Sequence, residues 1–207
     1  MILSEETDEL LSRLRGGDGQ AVGTLFDLHR QRLWQMLVVR LDRRLSSRLS
    51  ADDVLQEAFF DVARRIGEYV DDPSVPFYVW LRFLTLQRMQ MLQRVHIEAE
   101  MRSVGREVPI AIGSAVRAIS ESMAGQLISD FTSPSQVAIR HEKQERIRAA
   151  LEEMDPVDRE VLALRHFEEL GNNEVATILG LSKDAASKRH IRALKRLRNI
   201  LDVTSGS

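Results

Sequence analysis

The stretch EVATILGLSKDAASKRHIRALKRLRNIL, residues 174–201, contains two helical patterns that meet at Gly180. Glycine adopts a positive φ at little steric cost, so it readily ends a helix. Ser182 follows as a candidate N-cap, because its hydroxyl can accept a backbone N–H that lacks a partner in the first turn. Ala176, four residues before the glycine, is small enough to let two helices cross closely. The stretch therefore predicts a helix-turn-helix, whose second helix enters the major groove of DNA.

The second of these helices is strongly basic. Its basic side chains up to residue 198 are Lys183, Lys188, Arg189, Arg192, Lys195, Arg196 and Arg198. Its only acidic one over that range is Asp184. The apolar seam expected to face the domain consists of Ile191, Leu194, Leu197 and Leu201. Lys188, Arg192 and Lys195 lie away from that seam. A solvated basic face or a coiled-coil strand is the alternative, but turn, cap and charge together favour DNA binding.

Composition restricts the remaining possibilities. A chain of 207 residues suits one large or two small domains. The absence of cysteine removes disulfides, thiolate metal sites and cysteine nucleophiles. No apolar run reaches membrane-spanning length, and the acidic first residues are unlike a secretion signal. We therefore expect a cytoplasmic, soluble protein.

The charge of the chain is unevenly distributed. The formal net charge is −2, and the basic side chains after residue 135 concentrate in the last helix. One basic helix on an otherwise acidic or balanced surface predicts modest DNA affinity that falls steeply with salt. This pattern fits a protein that needs a partner to hold DNA well.

The first half of the chain reads as helices. Residues 4–15 and 20–41 have amphipathic patterns. On the second of them His29 falls on the apolar stripe, where we interpret it as a packed histidine. The sequence Ser50-Ala51-Asp52-Asp53 resembles a capping box, and the helix it begins should run to about Ile66. The acidic outer face of that helix is either a solvated surface or a docking face.

Residues 77–95 form a predicted helix that is rich in aromatic side chains. Four of the chain's eleven aromatic residues fall within residues 77–83. Arginines at positions 82, 88 and 94 interrupt the apolar pattern. A core helix is one reading. The other is a surface on which unpaired bases stack beside phosphate contacts.

The segment 96–134 reads as a linker because it is rich in glycine, proline and serine. Fully extended it would reach on the order of 130 Å. Residues 114–131 within it have apolar side chains at helical spacing. Helices are expected again over 135–154 and from Asp155-Pro156 to about Leu170, followed by the turn Gly171-Asn172-Asn173. With no strand signal the chain is predicted to be all-α: two small helical domains, 1–95 and 135–207, joined by the linker, the C-terminal one a helix-turn-helix.

The order of these elements resembles the bacterial RNA polymerase sigma factors of the extracytoplasmic-function (ECF) group. Three stretches carry the resemblance. Residues 52–59, DDVLQEAF, resemble the acidic helix that docks on the clamp helices of the polymerase β′ subunit. Residues 77–81, FYVWL, are similar to the start of the helix that melts and reads the −10 element. Residues 151–201 are similar to the domain that reads the −35 element.

The resemblance implies a role for particular side chains. Those implied in polymerase binding are Asp52, Asp53, Gln56, Glu57 and Phe59. Those implied at the −10 element are Tyr78, Trp80, Arg82, Gln87 and Arg88. Those implied at the −35 element are Lys183, Ser187, Lys188, Arg189, Arg192 and Arg196. The implied partners are core RNA polymerase, through its β′ clamp and β flap, promoter DNA and an inhibitory anti-sigma factor, with no membrane insertion.

Three departures from the family pattern concern promoter sequence. They are Asp184-Ala185-Ala186 at the start of the recognition helix, Gln87 where asparagine is common, and the turn at 171–173.

One rival interpretation of the chain is an ordinary helix-turn-helix regulator that binds duplex DNA alone. Another is an enzyme, but the zinc-protease-like start at His141-Glu142 lacks its second histidine. We therefore predict a protein with no catalytic residues, no metal and no cofactor.

Overall fold

The computed structural model describes residues 2–42, 45, 48–104, 119–124 and 137–205. Over these residues the chain is all-α, as predicted, and contains no strand. The helices are α1 (Ile2–Arg15), α2 (Ala21–Arg40), α3 (Ala51–Asp71), α4 (Phe77–Val104), α5 (Val137–Glu153), α6 (Pro156–Leu162), α7 (Asn172–Leu179) and α8 (Lys183–Ser205). A π-helical turn, Ala163–Phe167, follows α6, and residues 119–124 are helical.

The chain divides into two compact units. The first comprises Met1–Leu37 and Arg44–Arg106, and the second comprises Val38–Arg43 and Glu107–Ser207. The prediction of a linker over 96–134 falls mostly outside the described residues. Within that range α4 continues to Val104, nine residues beyond the predicted end at Val95. Residues 120 and 122–124 are buried in the second unit.

The core of the first unit lies along the predicted stripe of α2. Its fully or almost fully buried apolar side chains include Leu25, Leu33, Met36, Leu37, Val54, Leu55, Ala58 and Leu81. His29 is buried on the same stripe, as predicted, and its Nε2 lies 3.0 Å from the Thr7 hydroxyl of α1. Its ring also packs against the rings of Phe77 and Tyr78. The histidine therefore helps to join α1, α2 and α4.

The burial of His29 predicts an acid-sensitive first unit. Burial, followed by the charge of Arg32, lowers the pKa of His29 from 6.5 to about 4. Between pH 6.5 and about pH 4 the histidine is protonated in the unfolded chain but neutral in the folded chain, so the free energy of unfolding falls as the pH falls. We expect a loss of about 2 kcal/mol between pH 7.5 and pH 5. Both tryptophans, Trp34 and Trp80, belong to this unit, so urea unfolding followed by tryptophan fluorescence measures it.

His29→Gln serves as the comparison variant, because its amide can still meet the Thr7 hydroxyl but does not titrate in this range. For each protein the free energy of unfolding at pH 5 is compared with its own value at pH 7.5. The loss in His29→Gln should be smaller than that in the unmodified chain by about 2 kcal/mol. Equal declines in the two proteins would show that His29 is not the responsible group.

The core of the second unit forms around α5, α6 and α8. It contains Val39, Met123, Leu151, Met154, Leu162, Ala163, Phe167 and Ala193. Arg40 and Glu168 are buried beside it and form an ion pair, and Arg40 also binds Glu160 at 2.5 Å. A buried guanidinium is tolerated only where carboxylates compensate its charge. This ion-pair network is therefore part of what holds the unit together.

Helix starts agree with the predicted caps, whereas some helix ends differ. Ser50 Oγ accepts the Asp53 N–H at 3.1 Å, and Asp53 Oδ2 accepts the Ser50 N–H at 2.8 Å, which confirms the capping box. The helix it begins continues five residues beyond Ile66. In that extension Tyr69 is buried against Phe77. Its hydroxyl donates to the Val75 carbonyl at 2.9 Å, which stabilises the connection to α4.

The apolar seam predicted for α8 is wrong in part. Ile191 and Leu194 are exposed, at 51% and 40%. The side of α8 that packs inward carries Ala186 and Ala193, which are fully buried, with Leu197 partly buried. Small alanines allow the helix to approach the core closely, so they occupy the contact side instead of the larger residues.

Candidate polymerase and nucleic-acid interfaces

The exposed side of α3 carries most of the predicted polymerase-binding residues. Asp52, Asp53, Gln56 and Glu57 are all exposed. Asp53 is occupied by the capping box, and the hydrogen bond from the Ser50 backbone N–H lowers the pKa of its carboxyl. Its negative charge is therefore retained at neutral pH. Asp52 Oδ1 accepts a hydrogen bond from Arg30 Nη2 at 2.8 Å in an exposed ion pair.

The aromatic residues of α3 divide into one that packs and one that is exposed. Phe59, a predicted contact, is half-buried and meets Phe26 edge-on with ring centroids 5.3 Å apart. Phe60, which the sequence reading did not select, is 55% exposed. A large exposed aromatic residue is typical of a protein interface. Phe60 lies outside the apolar stripe of the helix, and a large aromatic residue at an outward position is the sequence signal that could have identified it.

The predicted −10 residues of α4 lie in several environments. Tyr78 and Arg82 are buried, and the Arg32 guanidinium lies 3.8 Å from the Tyr78 ring centroid. Trp80 is half-buried and packs against Tyr69, with ring centroids 5.0 Å apart. Arg88 forms a two-pronged ion pair with Asp61 of α3, at 2.6 and 2.7 Å. Of the five predicted residues, only Gln87 is classed as exposed.

A different set of α4 side chains forms its exposed face. Phe83, Gln87 and Met91 follow one another at intervals of four residues, and all three are exposed. Residues at this spacing share one side of a helix. Phe83 and Met91 are large apolar side chains with 54% and 57% exposure. This face, which we call the α4 stripe (Phe83, Gln87 and Met91), presents flat or polarisable surface to solvent.

The helix-turn-helix has the predicted turn. Gly180 has φ 62°, in the left-handed region that glycine adopts at low cost. Ser182 Oγ accepts the Ala185 N–H at 3.2 Å, which confirms it as the cap of α8. Asn172 begins α7 and its side-chain amide donates to the Lys183 carbonyl at 2.9 Å. The predicted turn at 171–173 is therefore wrong in part, because Asn172 and Asn173 belong to α7 and only Gly171 precedes the helix as its cap.

A groove runs along the exposed side of α8. Its lining residues are Asp158, Leu181, Ser182, Asp184, Ala185, Lys188, Arg189, Arg192 and Arg196. Of the predicted −35 residues, Lys183, Ser187, Lys188, Arg192 and Arg196 are exposed and Arg189 is half-buried. Lys188 and Arg192 have no carboxylate at ion-pair distance within the part of the chain that the structure describes. These two cations are therefore available to phosphates.

Two other groove arginines are bound to the protein itself. Asp158 of α6 is buried, and its two carboxylate oxygens accept from Arg189 Nε at 2.8 Å and Arg196 Nη1 at 2.6 Å. Asp155 also accepts from Arg189, at 3.2 Å. Hydrogen bonds from the backbone of Val157 and Asp158 lower the pKa of Asp155, which therefore remains charged. The sequence reading did not select Asp158.

A histidine pair joins α8 to the π-helical turn. The Nε2 atoms of His166 and His190 are 2.9 Å apart. Burial, followed by the charge of Arg165, lowers the pKa of His166. Burial, followed by the neighbouring His166, also lowers that of His190. Both rings are therefore neutral at physiological pH, so they add no positive charge to α8.

No helix among the described residues is both long and apolar enough to cross a membrane. Within the same residues no group of three or more histidine or carboxylate side chains is arranged to hold a metal ion.

Comparison with known proteins matches the C-terminal unit to a described domain. Residues 150–199 match the family model "Sigma-70, region 4". The matched residues contain α6, the π-helical turn, α7 and most of α8. The groove and the helix-turn-helix therefore lie within this domain.

Similarity to curated relatives extends over the whole chain. The RNA polymerase sigma-H factor of Pseudomonas aeruginosa is 25% identical over 97% of this chain and 96% of its own length. The ECF RNA polymerase sigma factor SigK of Mycobacterium tuberculosis is 25% identical over 98% of this chain and 97% of its own. The sigma factor CnrH of Cupriavidus metallidurans is 29% identical over 74% of each chain.

A solved structure shares the fold. It is that of CnrH in complex with the cytosolic domain of CnrY, with a TM-score of 0.54 and 22% identity over 96% of this chain and 98% of that chain. That structure shows the likeness of fold, and the region 4 domain and the full-length relatives support an RNA polymerase sigma factor of the ECF group. The same similarities support promoter-specific initiation of transcription as its function.

Proposed function

We propose that this chain binds core RNA polymerase through α3, holds the unpaired −10 strand on α4 and reads the duplex −35 element with α8. The observation that supports this division most directly is the full-length similarity to named sigma factors, which spans both units. An ordinary regulator would need only the helix-turn-helix. On this proposal the chain acts in the cytoplasm, where transcription takes place.

The docking proposal rests on the charge and exposure of α3. Asp52, Gln56 and Glu57 are polar and exposed, and Phe60 adds an exposed aromatic ring on the same helix. Interfaces commonly combine one aromatic anchor with a surrounding polar rim. We assign Phe60 as the anchor for the β′ clamp. Asp53 contributes charge, but its geometry is fixed by the helix cap.

The −10 proposal rests on the α4 stripe. Aromatic and thioether side chains can stack on or cover an unpaired base, and the Gln87 amide can donate to and accept from a base edge. Tyr78 and Arg82 are buried, so we give them a supporting role within α4 and not a direct contact with the bases. Trp80 and Arg88 lie partly exposed and are held in place by Tyr69 and Asp61.

The −35 proposal rests on the α8 groove. Lys188 and Arg192 project into it without internal ion partners among the described residues, and Ser187 and Lys183 are exposed on the same helix. Cations on a helix held by a helix-turn-helix can contact both phosphates and base edges in the major groove. Arg189 and Arg196 are not assigned as primary contacts, because Asp158 already binds them.

Run-off transcription tests the proposal as a whole. Purified bacterial core RNA polymerase would be supplied with a genomic fragment library, with and without this chain. We expect chain-dependent transcripts whose start sites share two upstream elements. Specific binding of duplex DNA by the chain alone, with no chain-dependent transcript, would instead favour an ordinary regulator.

The groove cations give a specific prediction for the −35 element. Replacing both Lys188 and Arg192 with glutamine should lower chain-dependent transcription at least tenfold, which corresponds to a loss of about 1.4 kcal/mol in promoter binding. Affinity for core polymerase should not change. The measurement is run-off transcription at saturating core polymerase.

The matched control replaces Lys195 and Arg198 with glutamine. These are two other cations of α8, and they do not line the groove. This variant loses the same charge, so it measures the general effect of a less basic helix. An equal fall in transcription in both double variants would contradict the assignment of the groove.

We also propose an inhibitory protein as a partner. CnrH, which shares the fold, was solved with the cytosolic domain of CnrY. A segment of that kind would compete with core polymerase for this chain. Adding a purified candidate should lower run-off transcription, and added core polymerase should restore it.

A further inference from the structure

We propose that Asp158 restrains Arg189 and Arg196, and so limits how strongly α8 binds DNA of any sequence. The inference rests on the proposed −35 function of the groove. It is that Asp158 determines how many of the groove cations can bind DNA. Asp158 would act through the two arginines, so it is a positioning residue that contributes to specificity.

The geometry of the ion pairs supports this restraint. The Asp158 side chain is only 4% exposed, and each of its oxygens accepts one charge-assisted hydrogen bond. Arg189 is held at a second nitrogen by Asp155. Ion pairs that involve a buried carboxylate are weakly screened by salt, and removing one partner is costly. The Arg196 side chain is still 60% exposed, but a phosphate that takes the nitrogens already bonded in these two arginines must compete with Asp158.

The consequence is a smaller number of cations that exchange counterions with DNA. Affinity for duplex DNA falls with salt by a slope of about 0.9 for each phosphate contact. Within the groove, the sequence-independent part of binding would come from Lys188 and Arg192, while Arg189 and Arg196 remain bound to Asp158. Weak general binding would leave promoter selection to the assembled polymerase.

The test measures binding of the full chain to a fluorescein-labelled random-sequence duplex of 25 base pairs by anisotropy. In Asp158→Asn both arginines lose the charged acceptor. We expect higher affinity at low salt and a salt slope steeper by on the order of 1–2, which is about a tenfold larger loss of affinity between 50 and 200 mM salt. An affinity and slope equal to those of the unmodified chain, or lower, overturn the inference.

Asp202→Asn is the matched control. Asp202 pairs with Arg198 at 3.6 Å on the same helix, but both side chains are largely exposed, so Arg198 is already accessible. The variant makes the same change of charge and should leave the slope within about 0.3 of the original. A slope that steepens equally in both variants would mean that net charge, and not the buried pair, controls binding.

A second pair of variants keeps the inference testable if Asp158→Asn unfolds, which far-UV circular dichroism would reveal. Arg196→Gln should change the salt slope by less than about 0.3, whereas Lys188→Gln should reduce it by about 1. Equal reductions would show that Arg196 is free to bind phosphate. Failure of run-off transcription would remove the proposed function, while these salt slopes would still decide the role of Asp158.

Discussion

Replacing Glu168 with glutamine should destabilise the second unit by about 3 kcal/mol, a large part of the stability of a small domain. Glu168 is fully buried and pairs with Arg40, which is itself buried. The neutral amide cannot compensate the guanidinium, so desolvation of Arg40 is left partly unbalanced. Glu160 remains as a second partner at 2.5 Å, which keeps the cost at the lower end of that expected for a broken buried pair.

Two spectroscopic signals separate this effect from unfolding of the rest of the chain. Both tryptophans lie in the first unit, so far-UV circular dichroism reports both units while tryptophan fluorescence reports the first alone. We expect a helical transition at lower urea concentration in the variant and an unchanged fluorescence transition.

The neighbouring residue provides the control for this prediction. Glu169→Gln makes the same change one position later, where the side chain is exposed, and should shift stability by less than about 0.5 kcal/mol. Similar destabilisation by both substitutions would show that loss of negative charge near this turn, and not loss of the buried pair, is responsible.

The features that the sequence predicted correctly are those decided within a few residues. Ser50 and Asp53 are three residues apart, and Ser182 caps a helix that begins at the next residue. Gly180 ends α7 because its own backbone can adopt a positive φ. Such caps depend on local hydrogen bonds and local sterics, so their residue types reveal them.

The features that the sequence did not reveal depend on contacts between distant residues. Ile191 and Leu194 are more hydrophobic than Ala186 and Ala193, yet the alanines pack against the core, because the closest approach of α8 requires small side chains. Hydrophobic periodicity weights a residue by its size and polarity, so it included Ile191 and Leu194 in the seam and missed the alanines.

The ion pairs in the groove could not be predicted from the sequence either. Asp158 is separated from Arg189 by 31 residues and from Arg196 by 38. Nothing in the local sequence distinguishes these arginines from Lys188, which has no carboxylate partner among the described residues. The same holds for Arg88, which pairs with Asp61 from 27 residues away. Charge counts therefore identified the basic helix correctly but overstated how many of its cations are available.

Two equally exposed phenylalanines of the first unit should have different functional effects. Phe60 on α3 is 55% exposed and Phe83 on α4 is 54% exposed. Phe60→Ala should weaken binding to core polymerase about 30-fold, because truncating an aromatic anchor in an interface typically costs about 2 kcal/mol. Fluorescence anisotropy of the labelled chain, titrated with core polymerase, measures this affinity.

Phe83→Ala is the matched variant, since it removes the same side chain from a comparable environment. It should leave the affinity for core polymerase within about twofold but lower transcription at saturating core polymerase about tenfold, because an unpaired base loses about 1.4 kcal/mol or more of stacking. Neither change should alter unfolding by more than about 0.5 kcal/mol, as both rings are largely in solvent. If Phe83→Ala weakened polymerase binding and Phe60→Ala did not, α4 would be the docking helix and the two roles would have to be exchanged.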